Sequence, residues 1–218
     1  MTTTDVSPWD VPGRAWYARD VRDVARDLLG ACLVRRTEAG VVALRLTEVE
    51  AYDGADDPGS HAYRGRTRRN ATMFGEPGRL YVYRHLGLHH CVNVVCGPVG
   101  RAAAVLLRAG EVVAGADLAR ARRVAVGVCD SDRQLARGPA RLTVALALDL
   151  SDDGADLTDP RAPLVMTLPV DRERGAVATG PRVGVGGEGG RADLYPWRSW
   201  LVGEPTVSAY RPVSPRRR

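Results

Sequence analysis

Lysine is missing from this chain of 218 residues, and all 31 basic side chains are arginine. A compositional bias of the genome toward arginine, alanine and glycine explains the absence best. It still has a chemical consequence, because a Schiff base with a substrate needs a free amine. The N-terminal amine is the one such group left, so the sequence excludes lysine-based imine chemistry.

Long apolar segments are also missing. The longest apolar runs, such as VALALDL, are far shorter than the roughly 20 residues that cross a bilayer. The N-terminal MTTTDVSPWDVPGR has neither the basic nor the apolar region of a secretory signal. We therefore expect no membrane association and a cytoplasmic location.

Cysteine is scarce and lacks CxxC spacing. The four cysteines are Cys32, Cys91, Cys96 and Cys129. Their apolar or strand-like surroundings favour buried, reduced thiols over a disulfide framework. Two of them could join the three histidines between Arg84 and Cys91 in a zinc site, but adjacent residues on a strand point in opposite directions. We predict no metal and no other cofactor.

The remaining composition is typical of one globular domain. Hydrophobic residues make up 44% of the chain and charged residues 26%, and no linker divides it. The formal net charge is +5, and the pI of about 9.3 agrees with this basic balance. A moderate positive charge favours an anionic partner without identifying it.

Two glutamates and a tyrosine stand out in the segment from Leu44 to Tyr63, LRLTEVEAYDGADDPGSHAY. If it begins as a strand, five residues share one face: Leu44, Leu46, Glu48, Glu50 and Tyr52. Residues two apart on a face lie about 6.6 Å apart, which places the Glu50 carboxylate beside the Tyr52 ring. The turn-rich segment that follows could bring His61 back to the same face. A solvated glutamate beside a packing tyrosine is the alternative.

The neighbouring segments predict a mixture of helix and strand. Apolar residues at helical spacing predict an amphipathic helix over residues 18–29. Residues 31–36 and 41–52 have the pattern of two strands joined in a hairpin by TEAG. Residues 101–109 fit a short helix and a strand equally.

A second hairpin is predicted over residues 78–96, GRLYVYRHLGLHHCVNVVC. Its tip would carry Leu86 and Leu88, where turns are normally polar. Exposed apolar groups there would suggest a partner or a wedge, whereas folding back onto the core is at least as common an outcome.

An arginine-rich segment, RGRTRRN, lies between these two regions. It has four arginines in six positions: Arg64, Arg66, Arg68 and Arg69. A solvated loop is the default interpretation of such a run, and a loop that contacts phosphates is the more specific alternative.

In order along the chain, TEVEAYDGADDPGSHAYRG, NATMFGEPGRLYVYRHLGLHHCVNVV, VLLRA, LARGPARLTVALAL and PRVGVG resemble the motifs of the alkyladenine (3-methyladenine) DNA glycosylases. The resemblance runs from about Arg19 to Tyr210. It implies an α+β fold: a single domain with a curved, mostly antiparallel, open-barrel-like sheet, surrounding helices and a protruding β-hairpin. We accordingly divide the chain into an N-terminal extension (1–17), a glycosylase domain (18–212) and a basic tail (213–218).

The resemblance also implies a site. In that family a damaged purine is flipped out of the duplex, and one activated water hydrolyses its N-glycosidic bond. By motif position, Glu50 would be the general base, and Arg108 would help it to hold the water and the sugar phosphate. Tyr52 and Tyr83 would sandwich the base, and His61 would form the third wall.

Further positions follow from the same resemblance. Asn93 would lie under the pocket and disfavour the exocyclic amino group of normal guanine. Leu86 stands where the family usually has a tyrosine that fills the gap left by the flipped base; a leucine offers less stacking area. Contacts with the DNA backbone would come from five arginines: Arg64, Arg66, Arg68, Arg69 and Arg84.

The implied partner is double-stranded DNA with a damaged purine, bound by a monomer close to the bacterial nucleoid. Without lysine, the implied product is an intact strand with an abasic site.

Two other classes of function stay open. One is a non-catalytic DNA-binding module on the same scaffold. The other is a metal-dependent nuclease that would use an acidic cluster: Glu48, Glu50, Asp53, Asp56 and Asp57.

Overall fold

The computed structural model describes residues 10–169, 175–210 and 213. Over these residues the helices are α1 (Arg14–Tyr17), α2 (Val21–Leu28), α3 (Ala116–Val124) and α4 (Pro139–Leu146). The strands are β1 (Cys32–Thr37), β2 (Gly40–Tyr52), β3 (Leu80–His85), β4 (His89–Val95), β5 (Ala104–Ala114), β6 (Leu164–Thr167), β7 (Val177–Gly180) and β8 (Arg198–Leu201). The predicted basic tail, apart from Val213, lies outside the described residues, as do residues 1–9 of the predicted extension.

The strands described form a single open sheet of eight, in the order β3-β4-β5-β2-β1-β6, and β8 joins β2 and β7. The strand pairs are antiparallel. This confirms the predicted α+β class and the antiparallel open sheet of a single domain. Of the ambiguous residues 101–109, residues 104–109 belong to β5, which lies between β4 and β2 in the sheet.

Helix α2 covers one face of the sheet, as its apolar spacing predicts. Its first turn is capped by Asp20, whose side chain accepts a hydrogen bond from the backbone N–H of Arg22. One face is buried through Val21, Val24, Ala25 and Leu28. The helix begins three residues later than the predicted residue 18, because the segment before it includes the cap. The main core thus lies between α2 and the sheet.

The alternation of side chains along β2 breaks at Thr47. Four apolar residues on both sides of the break share the main core: Leu44, Leu46, Val49 and Ala51. The pairing with β5 shifts between Leu46 and Glu48, which marks a β-bulge where β2 exchanges its neighbour β1 for β8. The predicted single face from Leu44 to Tyr52 is therefore wrong. The leucines face the core, and Glu48, Glu50 and Tyr52 lie on the other side of the sheet.

Strands β3 and β4 form the predicted second hairpin, closed by Leu86, Gly87 and Leu88. Leu86 has a left-handed φ of +50°, which is uncommon for a leucine. The exposed fractions are 79% for Leu86 and 75% for Leu88. Of the two outcomes expected for this tip, the structure shows the one in which the apolar side chains face solvent.

None of the helices in the described part of the chain is long and apolar enough to cross a bilayer. All four cysteines are free thiols, and Cys32, Cys91 and Cys96 are buried.

Candidate active site

A cavity of about 500 Å³ opens on the side of the sheet opposite α2. This is within the range of small-molecule sites in proteins and is ample for a purine base. Five residues predicted for the site line it: Tyr52, His61, Tyr83, Asn93 and Arg108. Residues 183–186 also line the cavity.

His61 reaches the cavity because the chain turns sharply after β2. The turn passes through Gly54, whose φ is +56°. A Cβ at this position would overlap the carbonyl of Ala102, so a side chain cannot be accommodated. The predicted return of His61 to the face of Tyr52 is thus what the backbone produces.

The His61 ring is held edge-on against Tyr83, with 4.5 Å between centroids and an interplanar angle of 83°. Tyr81 stacks on Tyr83 at 5.7 Å, and its hydroxyl lies 3.5 Å from His61 Nδ1. Burial, followed by the neighbouring Arg69 and His85, lowers the pKa of His61. At neutral pH its imidazole is therefore uncharged and can both donate and accept a hydrogen bond.

Tyr52 forms another part of the wall and is linked to Glu50. Its hydroxyl donates a hydrogen bond of 2.8 Å to Glu50 Oε2. Burial, and then the negative charge of Glu50, raise the pKa of Tyr52 well above its ordinary value. The phenol therefore stays protonated and acts as a donor to the carboxylate.

Glu50 is fully buried directly behind the cavity wall. Its Oε1 accepts a hydrogen bond of 2.7 Å from the backbone N–H of Val183 and lies 3.3 Å from Arg108 Nη1. Together with Tyr52, these contacts fix both oxygens. The three residues that make these contacts, Tyr52, Val183 and Arg108, all line the cavity.

Glu48, two residues earlier, is also fully buried but makes a different set of contacts. It accepts hydrogen bonds from Arg108 Nε at 2.9 Å and Arg198 Nε at 2.7 Å. Ser208 donates its backbone N–H at 2.7 Å and its hydroxyl at 2.8 Å. Burial alone would raise the pKa of Glu48, but Arg108, Ser208 and Arg198 together hold it below its ordinary value.

A buried ion pair that the sequence did not predict supports the wall from behind. Arg182 donates two hydrogen bonds to Asp57, at 2.6 and 2.7 Å, and both side chains are completely buried. The guanidinium carbon lies 4.5 Å from the centroid of the Tyr52 ring. Arg182 also donates to the carbonyls of Ala51 and Gly189. It therefore joins β2, the turn before His61 and the segment that carries Val183.

The remaining residues predicted for the site are Asn93 and those expected to contact DNA. Asn93 is buried under the cavity, and its Nδ2 donates to the Tyr81 carbonyl at 3.3 Å. The five arginines proposed to contact DNA are exposed: Arg64, Arg66, Arg68, Arg69 and Arg84. The guanidinium of Arg69 lies 5.5 Å from the centroid of the Tyr83 ring, which places the arginine loop beside the cavity. Leu86 lies outside the cavity, at the end of the hairpin that carries Tyr83.

The acidic residues considered for a nuclease are already paired with arginines. Asp53 and Asp56 share Arg101, at 3.0 and 3.1 Å, and the other three are bound as described above. Within the described ranges, no three histidine, cysteine, aspartate or glutamate side chains are placed to hold a metal ion. The acidic cluster that a metal-dependent nuclease would use is therefore not arranged as a metal site within these ranges.

Sequence reasoning missed Arg182, Arg198, Ser208 and Val183, all more than 120 residues from Glu50 along the chain. The PRVGVG motif contains Arg182 and Val183, and it was the one available signal for them. Arg198 and Ser208 have no comparable motif.

This cavity, with its buried carboxylate and aromatic walls, fits a DNA glycosylase, and comparison with known proteins gives the family. The family model for methylpurine-DNA glycosylase matches residues 15–205. The chain belongs to this family, and it is accordingly a methylpurine-DNA glycosylase, a hydrolase of N-glycosyl bonds that acts in base excision repair.

Three relatives, each provisionally named a 3-methyladenine DNA glycosylase, match nearly the whole chain. The protein of Streptomyces avermitilis is 55% identical over 206 residues, which cover 94% of each chain. That of Leifsonia xyli subsp. xyli is 55% identical over 202 residues, 92% of each. That of Frankia casuarinae is 49% identical over 227 aligned positions, 100% of this chain and 99% of its own.

Proposed function

We propose that this protein excises alkylated or deaminated purines by flipping the damaged nucleotide into the cavity and hydrolysing its N-glycosidic bond with a water activated by Glu50. One observation carries the proposal. A fully buried carboxylate lies behind an aromatic-walled cavity, and the Tyr52 hydroxyl links the two.

Recognition would begin with the cost of extrusion. Removing a base from the stack costs a few kcal/mol, and less for a damaged or mispaired base. Stacking on Tyr52 and Tyr83 would recover roughly 1 to 3 kcal/mol per base. Purines alkylated at N3 or N7 carry a positive charge, which electron-rich rings attract further. Asn93 under the cavity would disfavour the amino group of normal guanine.

Hydrolysis would use the acceptor capacity that Glu50 retains. An ionised carboxylate has about four acceptor positions. Val183 and Arg108 approach one oxygen and Tyr52 the other, so one position on Oε2 can take the proton of a water. The water oxygen would bond to C1′ as the C1′–N bond breaks, and the purine would leave with the bonding electrons. The negative carboxylate would also stabilise the oxocarbenium character of the sugar.

The product would be an intact strand with an abasic site. Strand cleavage through an imine needs an amine nucleophile, and the chain has no lysine. No metal or cofactor takes part in these steps. We expect the enzyme to act as a monomer in the cytoplasm, near the nucleoid.

Two surface features would position the duplex. Leu86, largely exposed at the hairpin tip, would enter the gap left by the flipped nucleotide. The arginines beside the cavity would contact phosphates and contribute affinity without reading sequence. Arg69 lies beside the Tyr83 ring, and Leu86 follows Tyr83 by three residues at the tip of the same hairpin, so extrusion and capture of the base would occur on one hairpin.

The deciding test uses duplex DNA that contains hypoxanthine or ethenoadenine at one position. Wild type, Glu50→Gln and the control Glu111→Gln are incubated with it, with and without EDTA, and the DNA is then treated with hot alkali. We expect breakage at the lesion with wild type and with Glu111→Gln, insensitive to EDTA, and none with Glu50→Gln. Equal breakage by Glu50→Gln would remove Glu50 from the mechanism. Binding by wild type without breakage at any purine lesion would identify a non-catalytic DNA-binding module.

A further inference from the structure

Arg108 lies between two buried carboxylates. Its Nε donates to Glu48 at 2.9 Å, and its Nη1 lies 3.3 Å from Glu50 Oε1. The contact with Glu48 is thus the shorter and better aligned of the two. Glu48 therefore fixes the guanidinium, and the contact with Glu50 is the one that can vary.

Glu48 itself is held by four hydrogen bonds from three residues of the protein. Its Oε1 accepts from Arg108, Arg198 and the Ser208 hydroxyl, and its Oε2 accepts from the Ser208 backbone. Three of the four bonds thus fall on one oxygen, and both oxygens are fixed in position. Glu48 is as buried as Glu50, but it is bonded to Arg108, Arg198 and Ser208, whereas Glu50 is bonded to Tyr52 and Val183 of the cavity wall. We therefore assign Glu48 as an anchor.

The charges of this cluster balance. Arg108 and Arg198 bring two positive charges, and Glu48 and Glu50 bring two negative ones, all on side chains that are almost completely buried. Arg198 also donates to the Ser208 carbonyl at 2.7 Å. Without Glu48, Arg108 would have Glu50 as its one carboxylate partner in this cluster. A closer ion pair between the two would make Glu50, the proposed base, less able to accept a proton.

The C-terminal strap, residues 204–208, holds the cluster in place. It is tied to β2 by Glu204 and Arg45 at 2.6 Å and by the hydroxyls of Thr206 and Thr47 at 2.8 Å. Its last residue is Ser208, which carries two of the four bonds to Glu48. The match to the family model ends at residue 205, so Ser208 lies beyond it.

We propose that Glu48, Arg198 and Ser208 are positioning residues that hold Arg108 at the edge of Glu50, so that the C-terminal strap completes the active site. The inference rests on the proposed role of Glu50 as general base. A purely structural role of the cluster would lower stability alone. A positioning role lowers the rate of the chemical step while DNA binding is retained.

The test measures two quantities for each full-length variant. One is the single-turnover rate constant for lesion excision at saturating enzyme. The other is the dissociation constant for a duplex with an uncleavable abasic-site analogue. We expect Glu48→Gln to lower the rate constant on the order of 100-fold and to change binding less than about threefold, because a small displacement of catalytic groups costs that much. The matched control is Asp152→Asn, which removes a carboxylate from another largely buried ion pair, with Arg35; its rate constant should equal that of wild type.

Ser208→Ala provides a milder variant if Glu48→Gln does not fold. It removes one hydrogen bond to Glu48 and should lower the rate constant about 3- to 10-fold at unchanged binding. If Ser208→Ala and a folded Glu48→Gln excise at the wild-type rate while Glu50→Gln is inactive, the positioning role is wrong and the proposed function stands. If the wild-type protein excises no purine lesion, both the positioning role and the proposed function are wrong.

Discussion

The Tyr52 hydroxyl donates a hydrogen bond of 2.8 Å to Glu50 Oε2. The residue proposed to stack on the base and the residue proposed to activate water are therefore in direct contact. A base that stacks on the Tyr52 ring would press on a side chain that fixes the carboxylate. If both proposed roles hold, this bond would couple occupancy of the cavity to the orientation of Glu50.

Tyr52→Phe should separate these two roles, because it removes the hydroxyl and keeps the ring. A hydrogen bond to a charged group contributes about 1.5–3 kcal/mol, so we expect the single-turnover rate constant to fall by about 10-fold or more. The affinity for lesion-bearing duplex should stay within about threefold of wild type, since stacking is retained. Tyr63→Phe, at a tyrosine that is 46% exposed, is the matched control. A full rate in Tyr52→Phe would mean that the hydroxyl does not orient Glu50.

Leu86→Tyr should strengthen binding to duplex that carries a lesion. A tyrosine at the tip would offer more stacking area than the leucine, and a gain of roughly 1 kcal/mol corresponds to about fivefold in affinity. Binding can be followed by fluorescence anisotropy, with undamaged duplex as the reference and Leu88→Tyr as the control at the neighbouring tip position. Unchanged or weaker binding by Leu86→Tyr would show that Leu86 is not the wedge.

Arg66→Gln combined with Arg68→Gln should weaken DNA binding more at low salt than at high salt. Each phosphate contact contributes about 0.9 to the slope of log K against log salt concentration, so the double variant should lower that slope by about 1.8. The slope is measured by titration at several salt concentrations. Arg161→Gln, at an exposed arginine outside the loop, should leave it unchanged. If the double variant has the same slope as the wild type, Arg66 and Arg68 do not contact phosphates and the loop is simply solvated.

Asp57→Asn should destabilise the fold strongly. It leaves the buried Arg182 guanidinium without its carboxylate, and loss of one partner from a buried pair costs about 3–5 kcal/mol. The free energy of unfolding can be measured in urea, with Asp159→Asn, at a side chain that is 47% exposed, as the control. A loss below about 1 kcal/mol would indicate that other groups neutralise Arg182.

Local sequence patterns were sufficient to predict helix α2 and the hairpin of β3 and β4. The helical spacing of Val21, Val24 and Leu28 and the alternation around Tyr81 and Tyr83 each act within a few residues, so the sequence predicts them directly. Residues 101–109 were ambiguous because a short apolar run fits either period. Residues 104–109 form a strand because they pair with β2, and that pairing is a long-range contact.

The site was predictable only where a motif marked it. The resemblance assigned Tyr52, His61 and Tyr83, and all three line one cavity. Arg198 and Ser208 reach Glu48 from 150 and 160 residues away in sequence. No local pattern marks such pairs, because their contact depends on how β8 and the C-terminal strap cross β2. Likewise, nothing in LRLTEVEAY marks Thr47 as the point at which the strand changes face.

The bulge at Thr47 makes the length of β2 as decisive as its composition. If β2 alternated strictly over its present residues, Leu44, Leu46, Glu48 and Glu50 would share one face, because positions two apart on a regular strand point to the same side. Either the two carboxylates would then enter the hydrocarbon interior, or the leucines would leave it. The one extra residue of the bulge therefore gives the interior its leucines and the opposite side of the sheet its two carboxylates.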